Sequence, residues 1–405
     1  MKLTSLFERA PTVPTENAAS VVSTSWHAWL LVALLTYILV GQAYNWMLGF
    51  VPFGFDFSEL YTAGERLNHG GLLFSDIDIH GQPCQPYVLP PVLGLLSKPL
   101  ALLTFKQAIT VWFGVMVTSL LAAVICFAKS LSRRIDPILV GLMLITGFRT
   151  WPATMEFSLA NCTFLVLFFV SCLYFSMKAE RFKSVAMVIV AAALIKTWAI
   201  GLVGCLVVKR RWKEAALCLG AWAVCIGGLF AVIGFHEIPG FLKMTAIFTG
   251  SVDRIKPAQS IIGFARLHFT HNKYCVPFVE SQVAMAAFIV CGAIVIAAGL
   301  IYIYLHPAKS AFEDRLQVSL VLASMLLSMP FCDAEYLLIC IPSLWTLLSP
   351  PSTMSKTASI LFRTTAIVFY FAAVRLSFST TLVHEHLSGF KSLLINDGFL
   401  WLTGL

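Results

Sequence analysis

The chain has 405 residues, of which 59% are hydrophobic and only 12% are charged. A soluble domain usually carries about 25% charged residues, so this chain has about half the charge needed to cover a water-facing surface. The composition excludes a soluble protein and predicts a single polytopic membrane domain. The net charge of +8 comes from basic clusters in the predicted cytoplasmic loops, and it gives no reason to expect a nucleic-acid partner.

Apolar runs along the chain predict the transmembrane helices, because about 20 apolar residues are needed to cross the hydrocarbon core as a helix. Residues 1–26 are polar and predict a cytoplasmic N-terminal segment. The long apolar runs are 27–48, 107–130, 213–235, 278–305 and 357–377. The shorter runs that also predict helices are 137–150, 161–177, 316–330 and 333–348. We therefore expect the membrane domain to cover residues 27–377, with a C-terminal segment over 378–405.

The distribution of Lys and Arg predicts which loops face the cytoplasm, because short cytoplasmic loops carry an excess of positive charge. Basic clusters at 129–134, 178–183 and 209–213 are predicted to be cytoplasmic. The loop after the first helix, 49–85, instead holds five acids against the single Arg66. We therefore expect this loop to face outside.

Two further apolar segments cannot cross the membrane without inverting this orientation. Residues 184–208 lie between two basic clusters, and each arm on either side of Lys196 has about 12 residues, or ~18 Å of helix, against a ~30 Å core. This predicts a re-entrant hairpin with Lys196 near its tip. Residues 86–103 include Pro90, Pro91 and Pro99 and predict a bent, partly inserted segment. Such backbone is tolerated only inside protein or beside water, so we expect a cavity open to the outside.

Asp56 and Lys196 are the first candidates for chemistry. Asp56 follows the first helix among aromatic residues at the membrane surface, where partial desolvation suits a carboxylate to proton transfer. An acid in an aqueous loop nevertheless needs no functional explanation. Lys196 lies within an apolar segment, and an intramembrane cation indicates a functional site by default. Snorkelling of its side chain to the interface is the alternative, and the sequence leaves both open.

The segment 236–277 is unusually basic for a loop that we place outside. Its charged residues are Lys243, Arg254, Lys256, Arg266 and Lys273 against Glu237 and Asp253. This excess favours an anionic ligand, and Arg suits phosphate because its planar fork binds two oxygens. Contact with lipid headgroups is the alternative. Asp333 and Glu335 lie between two short apolar runs, where they either line the cavity or cap helices.

Several kinds of site have no signature in this chain. The eleven cysteines lie mostly inside apolar runs without CxxC or Cys/His spacing, so no metal site is expected. Cys84 and Cys275 both fall in predicted outer loops, which leaves a disulfide between them open. No Walker loop, GxGxxG motif or Ser/His/Asp order predicts a site for a soluble nucleotide or cofactor.

The order of several short motifs resembles glycosyltransferase family 87, whose members are bacterial membrane mannosyl- and arabinofuranosyltransferases that use polyprenyl-phosphate sugars. The matching residues, spread over about 45–345, are Asp56, Tyr61, Gly64, Tyr87, Pro90, Pro91, Asn161, Ala192 to Lys196, Arg210 to Trp212, and Gln259 to Arg266. The chain departs from the family at two places. It has Ser-Leu-Ala-Asn at 158–161 where the family often has Gly-Gln-x-Asn, and Cys-Asp-Ala-Glu-Tyr at 332–336 where it often has Trp-x-His-His-Tyr.

The resemblance implies a GT-C type fold with about 9–12 transmembrane or re-entrant helices and a cavity at the outer face. Within the membrane domain we expect three special regions: a first outer loop with bent helices over 49–106, the hairpin 184–208 and the basic loop 236–277. It also implies a bacterial inner-membrane enzyme whose site faces the periplasm. This enzyme would move mannose or a similar sugar from a polyprenyl-phosphate donor to a glycolipid or polysaccharide acceptor.

Roles for individual residues follow from the same resemblance. Asp56 would be the general base, and the donor phosphate would be bound by Lys196, Arg266, Arg254 and Lys256. The residues expected to line the cavity are Glu59, Tyr61, Tyr87, Asn161, Gln259, Asp333 and Glu335. No metal or cofactor is expected, because the leaving group is already an anionic phosphate.

Two other classes of protein fit the same sequence. A transporter or flippase for an anionic or lipid-linked substrate would use broken helices and a midplane lysine equally well, although no inverted repeat is visible. A non-catalytic assembly partner would have no need of Asp56.

Overall fold

The computed structural model describes residues 26–375, apart from gaps at 50–53, 76, 83, 85–86, 132–134, 251–258, 273–275, 331 and 352–353. The terminal segments predicted over 1–26 and 378–405 therefore lie outside the described residues, except for Trp26. Arg254, Lys256 and Cys275 also lie outside them.

The described part of the chain is helical. Its α-helices are α1 Trp26–Gly49, α2 Phe55–Asn68, α3 Pro91–Ser97, α4 Phe105–Leu131, α5 Pro137–Arg149, α6 Trp151–Leu159, α7 Thr163–Lys178, α8 Phe182–Ile195, α9 Val203–Val208, α10 Trp212–Ile233, α11 Ile238–Gly250, α12 Ile261–Phe269, α13 Gln282–Leu305, α14 Ala311–Ser328, α15 Ile341–Leu348 and α16 Lys356–Arg375. Short 3₁₀ segments cover Leu100–Leu102, Thr197–Leu202, Phe235–Glu237 and Ala334–Cys340. The prediction of an all-α polytopic membrane protein is confirmed.

In the described ranges, four helices are long and apolar enough to cross a membrane, and they coincide with four of the five long apolar runs: α1, α4, α10 and α13. Helices α5 and α6 meet the same criteria only as a pair with a bend of 59° between them, which is the geometry of either a broken span or a re-entrant loop. The bend falls at Thr150, whose backbone is extended. Pro152 then lies in the first turn of α6; a proline has no N–H to continue a preceding helix, but it is tolerated at the start of a new one. The described part of the remaining long run, up to residue 375, forms α16, which is not among the helices that meet these criteria.

The helices differ in which surfaces they bury. The most apolar stretch of α13 has none of its residues buried, and only 11% of the corresponding stretch of α10 is buried. By contrast, α7 packs between α4 and α8 and buries much of its length. An apolar surface that no protein covers suits contact with lipid, so α10 and α13 lie at the edge of the bundle while α7 forms its centre.

Two regions that the sequence indicated as loops contain helices. The first, 49–85, contains α2, and the second, 236–277, contains α11 and α12. Phe57, Leu60 and Ala63 are buried on α2 at the spacing of one helical face, although the mean composition of this segment is not apolar. Packing of that narrow face against α3 and α4 stabilises a helix that composition alone did not indicate.

The segment 184–208 is broken where the sequence predicted. Helix α8 ends at Ile195, Lys196 is extended, and the chain continues through the 3₁₀ segment Thr197–Leu202 into α9. Both parts that follow Lys196 pack against α8, so the chain folds back on itself at this residue. The re-entrant placement of this segment in the bilayer remains a prediction.

Candidate active site

Asp56 lies in the first turn of α2, held there by the turn that precedes it. Gly54 has φ +59°, which glycine adopts without strain, and a Cβ at this position would lie 2.3 Å from the Cδ1 atom of Ile109 on α4. Phe57, the residue after Asp56, is fully buried, and the centroid of its ring lies 5.9 Å from that of the Trp112 ring. These contacts leave the half-buried Asp56 carboxylate directed toward the end of α6, where Asn161 Nδ2 donates a 2.5 Å hydrogen bond to its Oδ2.

Asn161 is itself fixed by the backbone around it. Ala160 ends α6 in the left-handed conformation with φ 53°, and its carbonyl accepts a 2.8 Å hydrogen bond from Trp112 Nε1. The Oδ1 atom of Asn161 accepts a 2.6 Å hydrogen bond from the N–H of Cys162. Because Oδ1 is engaged in this way, the amide nitrogen faces Asp56, which orients the carboxylate of Asp56.

Glu156 is a member of this site that the sequence reasoning missed. It lies on α6 and is fully buried, and its Oε1 accepts hydrogen bonds from the N–H groups of Thr163 and Phe164 in the first turn of α7. A carboxylate is favoured there by the partial positive charge of a helix N-terminus. Its second oxygen, Oε2, is buried and has no hydrogen-bond partner among the described residues.

Lys196 is buried at the break between α8 and the 3₁₀ segment that follows, with only 2% of its surface exposed. Its Nζ lies 4.1 Å from the centre of the Tyr336 ring, and the ring of Trp198 lies 5.1 Å from that of Tyr336. Nζ has no hydrogen-bond partner in the described part of the chain. The ammonium group therefore lies buried against the Tyr336 ring instead of extending to the protein surface.

Three carboxylates interact electrostatically with Lys196: those of Glu156, Glu335 and Asp56. Glu335 is buried in the 3₁₀ segment Ala334–Cys340, which packs against α6 and α7. The half-buried Asp333 precedes that segment and, like Glu335, interacts electrostatically with Tyr336. The structure thus gathers residues from four distant parts of the chain into one buried charged cluster, which we define as Asp56, Glu156, Asn161, Lys196 and Glu335.

A cavity of about 340 Å³ opens beside this cluster. Lys196 and Tyr336 form part of its wall, and the rest is mostly apolar: Val88, Leu89, Pro90, Trp198, Phe241, Met329 and Pro330, with Thr197 and Thr245. A larger apolar groove of about 750 Å³ lies between α9, α10, α13 and α14. The two share Met329 and Pro330, so the apolar groove adjoins the Lys196 cavity.

The other residues predicted to line a cavity occupy several places. Tyr61 donates a 2.8 Å hydrogen bond to the Leu103 carbonyl, which ties α2 to the chain before α4. Tyr87 is fully buried, and burial raises its pKa well above the ordinary value, so the phenol stays protonated and donates to the Pro90 carbonyl at 2.7 Å. Glu59 is buried on α2 and interacts electrostatically with Tyr87. Through its hydrogen bond to Pro90, Tyr87 supports the wall of the Lys196 cavity.

Of the residues in the basic segment 236–277, two with predicted roles fall in the described ranges. Gln259 is buried, and its N–H donates a 2.6 Å hydrogen bond to the Cys332 carbonyl, which places the start of α12 beside the segment that carries Glu335. Arg266 is half-buried on α12. Nothing in the described contacts places its guanidinium in the charged cluster, so its phosphate-binding role remains a prediction.

The fold and this site define the protein's class: an integral membrane protein with a buried polar site inside a helical bundle and apolar cavities beside it. The model of glycosyltransferase family 87 matches residues 87–330, which is more than half of the chain. The chain therefore belongs to glycosyltransferase family 87 and is a membrane glycosyltransferase. The match contains Glu156, Asn161 and Lys196 but not Asp56 or Glu335. No curated protein and no solved structure matches the chain.

Proposed function

We propose that this glycosyltransferase moves a sugar, mannose or one similar to it, from a polyprenyl-phosphate donor to a hydroxyl group of a glycolipid or polysaccharide acceptor. We place the reaction at the periplasmic face of a bacterial inner membrane. The observation that carries the proposal is the charged cluster beside an apolar cavity, in which a carboxylate oriented by an amide lies near a buried lysine. The apolar cavity and the lysine suit an amphipathic donor with a hydrocarbon chain and a phosphate. The oriented carboxylate suits an acceptor that reacts through a hydroxyl group.

The donor phosphate binds at Lys196 in this proposal. A lone cation on an otherwise apolar wall suits a phosphate that is attached to a hydrocarbon chain, since the chain can remain in apolar surroundings. The adjoining apolar groove would hold the first prenyl units. Before the donor binds, the nearby carboxylates compensate the charge of Lys196, and the Tyr336 ring covers its Nζ. Donor binding then requires Tyr336 or Lys196 to change rotamer.

The basic segment 236–277 supplies further phosphate contacts in the proposal. Arg266, Arg254 and Lys256 would approach the phosphate from this segment, whose helix α11 contributes Phe241 and Thr245 to the wall of the Lys196 cavity. Positive groups aimed at the leaving phosphate stabilise the charge that develops on it as the bond to the sugar breaks. This electrostatic stabilisation assists the departure of an anionic phosphate.

Asp56 acts as the general base. The acceptor hydroxyl oxygen attacks the anomeric carbon of the donor sugar, and its proton passes to the Asp56 carboxylate. The bond between that carbon and the phosphate oxygen breaks, and polyprenyl phosphate leaves with the electron pair. Asn161 holds the carboxylate in place by its 2.5 Å hydrogen bond and therefore acts as a positioning residue.

The proposal is tested with the purified protein in lipid nanodiscs and a radiolabelled polyprenyl-phosphate sugar. We expect Asp56→Asn to lower turnover ~10²- to 10⁴-fold, the usual effect of removing a general base. Asn161→Ala should lower it less, and adding Asn161→Ala to Asp56→Asn should cause little further loss, because Asn161 acts through Asp56. Glu65→Gln, on the same helix but outside the cluster, is the matched control and should stay close to wild type.

Two results would reject parts of this proposal. If Asp56→Asn kept more than a tenth of wild-type turnover, Asp56 would not be the base. If wild-type protein in proteoliposomes moved a labelled lipid-linked substrate across the bilayer without forming any covalent product, the protein would be a transporter and not the proposed transferase.

A further inference from the structure

Glu156 carries a carboxylate oxygen that the fold does not use. Its Oε1 accepts the two N–H hydrogen bonds at the start of α7, whereas its buried Oε2 has no hydrogen-bond partner in the described ranges. We propose that Glu156 Oε2 binds a hydroxyl group of the donor sugar and so contributes to sugar recognition. This inference rests on the proposed function, because it concerns the donor that the Lys196 site would bind.

An unpartnered carboxylate oxygen inside a membrane protein requires an explanation, because burial removes the water that would otherwise solvate it. Capping of α7 explains only one of the two oxygens of Glu156. Pairing with Lys196 does not explain the other, because Lys196 Nζ makes no hydrogen bond to any described residue. The two groups interact electrostatically without a direct hydrogen bond. Two polar atoms without a hydrogen-bond partner among the described residues, Glu156 Oε2 and Lys196 Nζ, therefore lie in one buried cluster.

A glycosyl phosphate matches both atoms at once. The Lys196 ammonium can only donate hydrogen bonds, whereas a buried carboxyl group such as that of Glu156 accepts or donates one according to its protonation. A phosphate group offers acceptors to Lys196, and the sugar attached to it offers, only a few bonds away, hydroxyl groups that can both donate and accept. A phospholipid headgroup phosphate would satisfy Lys196 and leave Glu156 Oε2 unmatched. The pair therefore fits a phosphate that carries a sugar better than it fits a simple lipid phosphate.

The position of Glu156 also suits recognition of the sugar more than removal of the proton from the acceptor hydroxyl. Asn161 already orients Asp56 at the other end of the cluster, while Glu156 is held at the N-terminus of α7 by two backbone groups. A side chain fixed by the backbone can place its second oxygen reproducibly, which is what selection among sugar hydroxyls requires. Glu156→Gln preserves the capping oxygen and replaces Oε2 by an NH₂ donor. It also removes the electrostatic interaction with Lys196, and that effect should be the same for every donor sugar.

The experiment measures kcat/KM of wild type and Glu156→Gln with polyprenyl-phosphate sugars from which one hydroxyl at a time is removed. With the complete sugar, we expect the variant to lose at least ~10-fold, as for a hydrogen bond to a charged group. With one deoxy donor, the wild type should lose a similar factor and the variant should lose almost nothing more, because the contact is already absent. With the other deoxy donors, the loss caused by Glu156→Gln should persist.

Glu237 provides a matched control for this measurement. It is also buried, and both of its oxygens accept backbone hydrogen bonds, 2.6 Å from Leu73 N–H and 3.3 Å from Phe74 N–H. Any loss of kcat/KM caused by Glu237→Gln should be the same for every donor, because both oxygens of this carboxylate are already used by backbone N–H groups. Thermal unfolding of both variants shows that each retains its fold.

The outcomes separate this inference from the function on which it rests. If the wild type turned over the donors and Glu156→Gln lost the same factor with every one of them, Glu156 would be structural and the inference would be wrong. Full activity of Glu156→Gln with the complete sugar would also overturn it. If the wild type transferred no sugar from any polyprenyl-phosphate donor, the proposed function itself would fail, and this inference would fail with it.

Discussion

Replacing Lys196 by Met tests the centre of the proposed donor site. Methionine keeps most of the apolar stem and removes only the ammonium group. If Lys196 binds the donor phosphate, the variant loses one charge-assisted hydrogen bond, worth ~1.5–3 kcal/mol. At ~1.36 kcal/mol for each factor of ten, kcat/KM should fall ~10- to 160-fold. Lys196→Arg should recover part of this loss and not all of it, because the guanidinium fork differs in reach from an ammonium group.

The effect of Lys196→Met on stability should be much smaller than its effect on catalysis. The variant loses the cation–π contact with Tyr336, which at 4.1 Å and out of water is worth ~2 kcal/mol. It also escapes the cost of placing a charge within the membrane, ~2.5–3.5 kcal/mol on insertion scales. These two terms have opposite signs and similar sizes, and the electrostatic interactions with Glu156, Glu335 and Asp56 are lost as well, so the thermal midpoint should fall modestly.

The measurement combines steady-state kinetics on a polyprenyl-phosphate sugar with thermal unfolding in the same detergent. The matched control is Lys209→Met, since Lys209 pairs with Asp314 and donates a 2.8 Å hydrogen bond to Gln317 away from the charged cluster. That control should be less stable and keep a kcat/KM near wild type. An Lys196→Met protein that folds normally and retains full kcat/KM would refute the assignment of the donor phosphate to Lys196.

Two further predictions concern the prenyl chain and the orientation in the membrane. Ser328 is exposed on the wall of the apolar groove. Ser328→Trp should therefore raise KM at least several-fold for long-chain donors and leave KM for a two-isoprene donor unchanged. Equal effects on both donors would exclude the groove as the binding site of the prenyl chain. For orientation, single cysteines replace His80, Glu180 or Arg211 in a cysteine-free background, and an impermeant thiol reagent should label only the first from outside. External labelling at either of the others would overturn the predicted topology.

Long apolar runs were enough to predict most of the membrane helices. Such runs fold as helices wherever water is absent, because every backbone group must then find its partner within the chain. Helix α2 was missed because its sequence mixes charged and aromatic residues, and only its packing against α3 and α4 decides its conformation. The break at Lys196 was predictable because the segment was too short on each side to cross the core.

The charged cluster was only partly predictable. Asp56, Asn161, Lys196 and Glu335 were named from the sequence, and the structure brings them together. Glu156 was missed, although it is the one acid between 137 and 177 and an acid within apolar sequence is itself a signal of function. The hydrogen-bond partners of Glu156 are backbone N–H groups of α7. No sequence pattern predicts that a side chain from one helix will cap the next helix.

The spread of the charged cluster along the chain has a consequence for biogenesis. Asp56 and Glu335 are the first and last of its members in order of synthesis, so translation at ~5–20 residues per second leaves the pocket incomplete for ~15–60 s after Asp56 is made. Glu156 and Lys196 are much closer in sequence, and each is costly to insert alone. Only α7 and α8 separate these two residues along the chain, so they can come together well before Glu335 is made, and their electrostatic interaction then lowers the cost of placing each in the bilayer. Insertion and active-site assembly are then successive stages, and the reaction cannot begin until the last helices have docked.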